Sequence, residues 1–392
     1  MSSTRKHRST VAVTALAVLA SSVTAVAAAS AAPVLASSHA VASSSLALKA
    51  AALKSVCPST INVQVNWWPS NDDAFLFQLI GPNGETNVNN NSYSGEIGST
   101  GVNLVIKAGG PAASYQTDTA LAYENSSNYL VMESTDEQIA NSAKQPTISV
   151  FAWYQAYPLV FLWGNPKWHF KNLAAIGASK VTVLAFSSGT YLGVFEQEGL
   201  LKKSQVDTSY NGSPARFVAA DGDVVQQGFV DEEPWDYAHA VPGWDKPVSF
   251  IQVPASAYPV YQDTIAVRSD QLGADKACLA DLVPLFQQAA VAYARNPSST
   301  NATIVRFTNG LKGTGASVSA GLAAYAAKSQ LEYGLVANGA DGVYGSFNTA
   351  RLQSSITKLT PVLTAEGKVP KVGLTPGDLA TNQFLDPSIK LP

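Results

Sequence analysis

The residues best suited to chemistry lie in the acidic and aromatic run 231–237, Asp-Glu-Glu-Pro-Trp-Asp-Tyr. A carboxylate beside a flat ring suits a planar, nitrogen-rich ligand, because the carboxylate accepts paired N–H hydrogen bonds. Pro234 can neither continue a helix nor donate to a sheet, and it favours an extended backbone at Glu233. We therefore predict that Glu233 and Trp235 lie at a strand end and face a cleft. The alternative is a solvated turn with Trp235 folded onto the core.

The segment Trp67-Trp68-Pro69 is a second candidate for ligand contact. It ends residues 61–67, where Val and Ile alternate with Asn and Gln, a pattern that predicts a first strand. Open α/β sheets bind ligands outside the carboxyl ends of their strands, and a base-like ring stacks on such a side chain for about 1–3 kcal/mol. Neighbouring residues on a strand face opposite ways, so one tryptophan belongs to the core, and we assign Trp68 to the cleft.

The run Ser187, Ser188, Gly189, Thr190 is a third candidate, at the start of a predicted helix. Its hydroxyls and free amides suit an anionic or hydroxyl group on a ligand. An ordinary helix N-cap explains the same residues equally well.

The chain lacks the common catalytic motifs. Its four histidines are His7, His39, His169 and His239, and it contains no Gly-x-Ser-x-Gly elbow, His-Glu-x-x-His helix or phosphate-cradling loop. We therefore assign no catalytic residue, no metal site and no cofactor.

The start of the chain predicts export. Three basic residues within the first eight precede an apolar run over 11–29 that ends in Ala29-Ser30-Ala31, a small-residue cleavage pattern. We predict a signal peptide over 1–31 and an Ala/Ser-rich tether over 32–56. The protein is then extracellular, at the cell surface or periplasmic.

Composition argues against nucleic acid and anionic membrane surfaces as partners. The charged fraction is 14% and the net charge is −3. The basic residues are scattered without a Lys/Arg-rich stripe, so no positive surface is expected to form.

The two cysteines, Cys57 and Cys278, are predicted to form one disulfide. An exported chain meets oxidising conditions, where a lone exposed thiol is a liability. In the chain-entropy model, closing a loop of about 220 residues stabilises the fold by about 4–5 kcal/mol.

Predicted strands alternate with predicted helices along the body. The strands are at 61–67, 102–108, 129–132, 147–153, 159–163, 180–186, 248–253 and 264–267, and the helices at 74–80, 118–124, 191–201, 279–295, 319–333 and 348–357. This alternation predicts parallel pairing in open α/β sheets, and about 360 residues after processing predict two domains.

The order of motifs over 57–307 resembles the solute-binding proteins of ABC importers that have the type II periplasmic-binding fold. The branch it is similar to holds the binding proteins for the pyrimidine precursor of thiamine and, more distantly, for taurine, alkanesulfonates and nitrate. The matching residues are Cys57-Pro58, Gln64 to Pro69, Ser134-Thr135-Asp136-Glu137, Ser213 to Val218, Gln227-Gly228-Phe229, Glu233-Pro234-Trp235, and Cys278-Leu279 with Leu282-Val283-Pro284.

The resemblance implies two α/β lobes with the ligand cleft between them, joined by crossing strands near 151–155 and 254–259. Lobe 1 would comprise 57–152 and 257–307, lobe 2 would comprise 153–256, and 308–392 would be a C-terminal helical extension packing on lobe 1.

The resemblance also extends the set of ligand contacts. Relatives commonly carry a histidine after the first strand, where this chain has Asp72-Asp73, and we include Asp73 among the contacts. Tyr261, near the second crossing, is included as well, with a core position as the alternative.

The leading hypothesis is a non-enzymatic, monomeric solute-binding protein that captures a small ligand, aromatic and heterocyclic or amino-bearing, and delivers it to an importer permease. Two alternatives stay open. One is an exported enzyme using Asp231, Glu232 or Glu233 as acid or base. The other is a secreted ligand-sensing protein without a transport role.

Overall fold

The computed structural model describes residues 53–187, 189–311 and 316–392. The predicted signal peptide, most of the predicted tether and Ser188 lie outside the described residues. The last four tether residues, 53–56, are helical, and Leu53 is fully buried. The folded body therefore begins ahead of Cys57, earlier than the tether boundary that we predicted.

The secondary structure alternates between strands and helices, as predicted. The strands are Thr60–Gln64 (β1), Glu85–Asn87 (β2), Ser92–Glu96 (β3), Asn103–Lys107 (β4), Leu130–Glu133 (β5), Thr147–Ala152 (β6), Leu159–Trp163 (β7), Val183–Leu184 (β8), Val206–Asp207 (β9), Val225–Phe229 (β10), Ser249–Gln252 (β11) and Thr264–Arg268 (β12). The α-helices are Ala74–Ile80 (α1), Asp118–Glu124 (α2), Thr135–Asn141 (α3), Leu173–Ala178 (α4), Thr190–Gln197 (α5), Ala215–Ala219 (α6), Glu233–His239 (α7), Lys276–Arg295 (α8), Ser298–Gly310 (α9), Ala320–Glu332 (α10) and Thr349–Ala365 (α11). Short 3-10 turns cover Asn71–Asp73, Gly110–Ala113, Lys203–Gln205 and Pro376–Asp378.

Two separate sheets confirm the predicted two-lobed α/β fold. The sheet of lobe 1 has the order β2-β3-β4-β1-β5-β12-β6, and the sheet of lobe 2 has the order β11-β7-β10-β8-β9. The chain leaves lobe 1 between β6 and β7 and returns between β11 and β12. These two passages are the crossings between the lobes.

Strand pairing is mixed, so our expectation of parallel pairing is wrong for part of each sheet. In lobe 1, β1 pairs in parallel with β4 and β5, but β12 runs antiparallel to both β5 and β6. In lobe 2, β10 pairs in parallel with β8 and antiparallel with β7. The antiparallel strands are those next to the crossings and those joined by short connections, such as β2, β3 and β4. A short connection cannot join parallel neighbours.

The core of lobe 1 is held by α8, which packs against α1. Phe75 on α1 lies 5.7 Å from Phe286 on α8 between ring centroids. The predicted disulfide is present, and it ties Cys57, ahead of β1, to Cys278 in the first turn of α8. In the described part of the chain, α8 is the one helix long and apolar enough to span a membrane, and most of it is buried inside the protein.

The C-terminal extension contacts both lobes, whereas we predicted packing on lobe 1. Helix α11 packs on α3 of lobe 1 and on α5 of lobe 2. Helix α10 contacts the 3-10 turn Asn71–Asp73 of lobe 1 and α7 of lobe 2. Each of the two helices has a buried face that includes apolar side chains, among them Leu322 of α10 and Leu359 of α11.

Candidate functional site

Polar side chains from both lobes and from the extension meet at Tyr154, in the first crossing. The Tyr154 hydroxyl lies 2.9 Å from Asp72 Oδ1 of lobe 1 and 2.9 Å from Asp231 Oδ2 of lobe 2. Gln330 of α10 donates from Nε2 to the Tyr154 hydroxyl at 2.7 Å, and the same nitrogen is 3.3 Å from Asp231 Oδ2. We call Asp72, Tyr154, Asp231 and Gln330 the interlobe cluster.

The two carboxylates of the cluster are placed by loops at strand ends. Asp72 follows β1 in a 3-10 turn, where Ser70 Oγ accepts from the Asp72 amide at 3.1 Å. Asp231 follows β10 directly, between the strand and α7. Loops that follow strands in open α/β sheets are where such folds bind ligands. The cluster thus occupies the position expected of a ligand site.

Burial dominates the electrostatics of the cluster. It raises the pKa of Asp72 well above the ordinary value, and the negative charges of Asp231 and Asp263 raise it further. Burial also raises the pKa of Asp231, although hydrogen bonds from Tyr154 and Gln330 oppose this. Among the described residues, no Lys, Arg or His forms an ion pair with these carboxylates. Within the described part of the chain, the acidic groups of the cluster therefore form no ion pair with a basic side chain.

Asp263, in the second crossing, adds a third carboxyl group near the cluster. Burial raises its pKa to about 7, opposed by hydrogen bonds from Asn66 and Gln262 and assisted by the charge of Asp231. Asn66 Nδ2 donates to Asp263 Oδ1 at 2.7 Å, and Gln262 Nε2 donates to the same oxygen at 3.1 Å. Its backbone φ of 54° is left-handed, a conformation that Asp and Asn adopt more readily than most residues.

Lobe 1 holds a separate group of buried carboxyls at the end of β5. Glu133 is fully buried, and burial raises its pKa well above the ordinary value. Burial likewise raises the pKa of Glu137 to about 7, and Glu137 accepts from the Thr119 amide at 2.8 Å. Within the described ranges, no group of three or more His, Cys, Asp or Glu is arranged to hold a metal ion.

Glu233 begins a helix, contrary to the extended conformation that we predicted from Pro234. Proline is well accommodated in the first helical turn, where its missing N–H would have no intrahelical partner. The Glu233 side chain folds back, and its Oε2 accepts from the Phe229 amide at 2.6 Å. Glu233 therefore caps the end of β10 beside Asp231, and its side chain is held at this strand end rather than at the interlobe cluster.

Trp235 lies between lobe 2 and the extension. Its ring stacks on His239 with centroids 4.8 Å apart, and its other contacts include the backbone of α10 at Gly321. A Cβ on Gly321 would lie 2.4 Å from Cζ2 of Trp235. The tryptophan is half-buried there, in the junction that the extension closes.

Of the two adjacent tryptophans, Trp67 is the exposed one, at 49% of its surface. Its ring lies over Gly110, where a Cβ would come within 2.5 Å, and 5.9 Å from the Tyr115 ring. Trp68, which we assigned to the cleft, is half-buried against the core of lobe 1. An exposed aromatic pair, Trp67 and Tyr115, thus lies where β1 and β4 end.

The remaining predicted contacts lie outside the interlobe cluster. Asp73 is buried, and its Oδ2 accepts from the Ser70 amide at 3.0 Å as part of a capping box. Tyr261 is buried under the Arg351 guanidinium, 3.8 Å from the ring centroid. Ser187 and Gly189 line a groove of about 490 Å³ between α5 and α11, and Thr190 is buried at the start of α5.

None of the four cluster members is among the ligand contacts that we predicted from the sequence, and Asp231 was named only as an acid or base of the alternative enzyme. Asp72 could have been identified as a site residue from its place next to Asp73 after the first strand. Tyr154 lies within the predicted crossing 151–155. No feature of the sequence identifies Gln330 as a site residue, since a single glutamine in a helix does not indicate which side chains it will contact.

No protein-family model matches this chain, and no curated protein matches it. Solved structures share its fold. The sulfonate-binding protein SsuA from Methylobacillus flagellatus is 11% identical over 83% of this chain and 92% of its own, with a TM-score of 0.51. The periplasmic aliphatic sulphonate binding protein SsuA from Escherichia coli is 14% identical over 86% of this chain and 94% of its own, with a TM-score of 0.50. The alkanesulfonate-binding protein SsuA from Xanthomonas axonopodis, bound to MOPS, is 11% identical over 83% of this chain and 99% of its own, with a TM-score of 0.50.

Proposed function

We propose that the protein is an extracytoplasmic solute-binding protein that captures a small ligand between its lobes and delivers it to an ABC importer. The observation that carries this is the convergence of Asp72 from lobe 1 and Asp231 from lobe 2 on one hydroxyl, that of Tyr154. The two-lobed fold, shared with binding proteins, supports the same role.

The mechanism follows from the position of Tyr154 in a crossing. Folds of this kind close on a ligand by a hinge between two lobes. Asp72 and Asp231 reach the same hydroxyl only when the lobes are together, so closure assembles the polar site. A solute enters when the lobes separate and is enclosed when they return.

The exposed pair Trp67 and Tyr115 supplies a surface for an aromatic solute. Stacking on one such ring is worth about 1–3 kcal/mol. Trp67 stands at the end of β1, next to the loop that carries Asp72. A heterocyclic ligand would thus have a ring platform and a carboxyl group on neighbouring parts of lobe 1.

An exported enzyme is the second candidate, and one observation favours it. Asp263 has its pKa raised to about 7 beside Asp231, and a carboxyl in that range can exchange a proton at neutral pH. In that case the solute would be converted rather than released unchanged.

A thermal-shift screen of the full-length protein, with the solutes analysed afterwards by NMR, separates the two functions. A bound solute at a hundredfold excess over its Kd should stabilise the protein by about 2.7 kcal/mol and be recovered unchanged. Conversion of the solute would favour the enzyme. Failure of every solute to stabilise the folded protein would contradict solute binding.

Tyr154→Phe is expected to weaken solute binding at least tenfold, because the hydroxyl that Asp72 of lobe 1 and Asp231 of lobe 2 share is lost. The matched control is Tyr123→Phe, whose hydroxyl donates to the Pro146 carbonyl at 2.8 Å within lobe 1. Isothermal titration calorimetry measures both. Equal affinity of the Tyr154 variant and the control for the solute would show that the Tyr154 hydroxyl does not contribute to solute binding.

A further inference from the structure

The C-terminal extension forms hydrogen bonds with both crossings between the lobes. At the first crossing, the Gln155 amide donates to the Leu335 carbonyl at 2.6 Å, and Gln155 Nε2 donates to the Ser346 carbonyl at 3.0 Å. At the second crossing, the Asn348 amide donates to the Tyr261 hydroxyl at 2.8 Å. A two-lobed fold bends at such connecting segments when its lobes separate. The extension is therefore bound to the hinge itself.

Arg351, in the first turn of α11, bonds to both crossings with one side chain. Its Nη1 donates to the Gln155 carbonyl of the first crossing. Its Nε donates to the Pro259 carbonyl at 2.9 Å, and its Nη2 donates to the Val260 carbonyl at 2.6 Å, both in the second crossing. Each nitrogen of the guanidinium group thus has a backbone acceptor, and these acceptors belong to two different crossings.

The guanidinium group of Arg351 is suited to hold these carbonyls at fixed separations. Its nitrogens lie in one rigid plane, and hydrogen bonds from a charged donor are shorter and stronger than those between neutral groups. The Tyr261 ring lies against this plane, with its centroid 3.8 Å from the guanidinium carbon. At the N-cap of α11, the Asn348 side chain accepts from the Arg351 amide at 2.9 Å. Movement of one crossing relative to the other must therefore break at least one of the bonds that Arg351 makes.

The main chains of the two crossings meet at their ends. The Trp153 amide donates to the Asp263 carbonyl at 3.3 Å near lobe 1, and the Val253 amide donates to the Leu159 carbonyl at 2.9 Å near lobe 2. Arg351 joins the crossings between these two points, and it does so from outside them. Its side chain can therefore be replaced without changing any residue of the hinge.

The position of the first crossing bears directly on the interlobe cluster. Tyr154 precedes Gln155 in the chain, and its hydroxyl is the group that Asp72 of lobe 1 and Asp231 of lobe 2 share. Because Arg351 holds the Gln155 carbonyl, it also restrains where Tyr154 lies between the lobes. A link between the crossings thus keeps both carboxylates within reach of the same hydroxyl.

We propose that Arg351 is a latch on the hinge, which holds the lobes together in the solute-free protein until it releases one of the crossings. This rests on the proposed solute-binding function and adds the residue that controls separation of the lobes. Arg351 is a positioning residue, since it acts on the interlobe cluster through the crossings. The extension thereby determines how often the space between the lobes opens to a solute.

Interlobe distances measured by double electron–electron resonance test this proposal. Spin labels are attached at Ala174→Cys on α4 of lobe 2 and at Ala292→Cys on α8 of lobe 1, both at exposed positions. The two native cysteines, Cys57 and Cys278, are joined in the disulfide, so the labels react at the introduced thiols. With Arg351 intact and no solute present, we expect one narrow distance distribution. A broad or two-peaked distribution in this protein would overturn the latch.

Variants of Arg351 identify the group responsible. Arg351→Met removes all three donor nitrogens and should add a population at longer interlobe distances. Arg351→Lys keeps the charge but has a single donor nitrogen instead of the planar fork, so it should have the same effect to a smaller extent. The matched control is Ser355→Ala, because the Ser355 hydroxyl of α11 donates to the same Pro259 carbonyl at 2.9 Å without joining the two crossings. This control should leave the distance distribution unchanged.

The outcomes separate the latch from the proposed function. Circular dichroism establishes which variants are folded, and Arg351→Lys together with the protein that retains Arg351 decides the matter if Arg351→Met does not fold. An unchanged distribution in a folded Arg351 variant, or equal broadening in Ser355→Ala, would overturn the latch. All of these distances are measured without solute. Failure of every solute to bind would contradict the proposed function and leave the restraint of the lobes by Arg351 intact.

Discussion

Asp263 shows how a single residue of the second crossing combines a backbone and an electrostatic role. Its left-handed φ of 54° suits Asp or Asn, and its Oδ1 accepts from both Asn66 and Gln262. Burial raises its pKa to about 7 from an unfolded value near 3.9. The folded state therefore binds this proton more tightly than the unfolded chain does.

Asp263→Asn should flatten the dependence of stability on pH. The stability that comes from protonated Asp263 is fully present below about pH 4 and is lost as the pH rises through about 7. Asparagine keeps the acceptor and tolerates the left-handed backbone, so the variant should be relatively more stable than the wild type at pH 8. Urea unfolding between pH 4 and pH 8 measures the difference.

Asp263→Ala is the comparison variant, because alanine keeps neither the acceptor nor the backbone preference. It should be less stable than Asp263→Asn at every pH in this range. An Asn variant whose unfolding free energy falls between pH 4 and pH 8 as steeply as that of the wild type would contradict the assignment of this titration to Asp263.

At the scale of elements, the start of α7 determines where the acidic run 231–237 presents its side chains. Because the helix begins at Glu233 with Pro234 in its first turn, Asp231 remains in the loop and reaches Tyr154, while the Glu233 side chain turns back to the Phe229 amide. Trp235, two residues after Glu233, then faces α10 at Gly321. The helix thus divides adjacent acidic residues between the site and the scaffold.

Gly321→Ala should loosen the contact between α7 and α10. A Cβ at this position would lie 2.4 Å from the Trp235 ring, so the ring or the helix must move. Overpacking of this kind destabilises proteins by about 1–3 kcal/mol, more than alanine gains from its higher helix propensity. Chemical denaturation gives the loss, and tryptophan fluorescence reports the displaced ring.

Gly273→Ala is the matched control, since a Cβ there meets no atom within 4 Å. If both variants unfold at the same denaturant concentration, the Trp235 contact does not hold α10 in place.

At the scale of the whole molecule, the C-terminal extension joins the lobes at two places. Helix α10 reaches the interlobe cluster through Gln330, and α11 lies across α3 and α5. Leu359 of α11 is fully buried in the same apolar cluster as Ile139 of lobe 1 and Val194 of lobe 2. Separation of the lobes must therefore break contacts of the extension with one of them.

Leu359→Ala should weaken both lobes at their contacts with α11. Truncation of a buried leucine destabilises by about 2–5 kcal/mol. Hydrogen exchange followed by mass spectrometry should show faster exchange in α3 and in α5 together. Phe77→Leu, in the core of lobe 1, is the control and should affect lobe 1 alone. Faster exchange in only one of α3 and α5 after Leu359→Ala would contradict the bridging role of α11.

Much of the fold was predictable, because its signals are local. The alternation of polar and apolar residues over 61–67 predicts β1, and the cysteine count in a chain predicted to be exported indicates the bridge between Cys57 and Cys278. The order of short motifs along the chain indicates the two-lobed architecture, which the two sheets confirm.

Part of the candidate site was within reach of the sequence, and part was not. The acidic run after β10 was identified as a candidate site, and Glu233 was chosen among its carboxylates because it precedes Pro234. A residue before proline usually has an extended backbone. This is only a preference, and the first turn of a helix overrides it here. Likewise, alternation along β1 shows that Trp67 and Trp68 face opposite ways, but not which of them is covered.

By itself, the sequence determined the class of elements, their order and the disulfide partners, since each depends on residue type and near neighbours. Only the tertiary structure decided which strands pair antiparallel and which side chains meet at Tyr154. Asp72, Asp231 and Gln330 are distant in the chain, since the residue numbers of Tyr154 and Asp72 differ by 82 and those of Tyr154 and Gln330 differ by 176. Their meeting depends on how both lobes and the extension pack, and no local pattern records that packing.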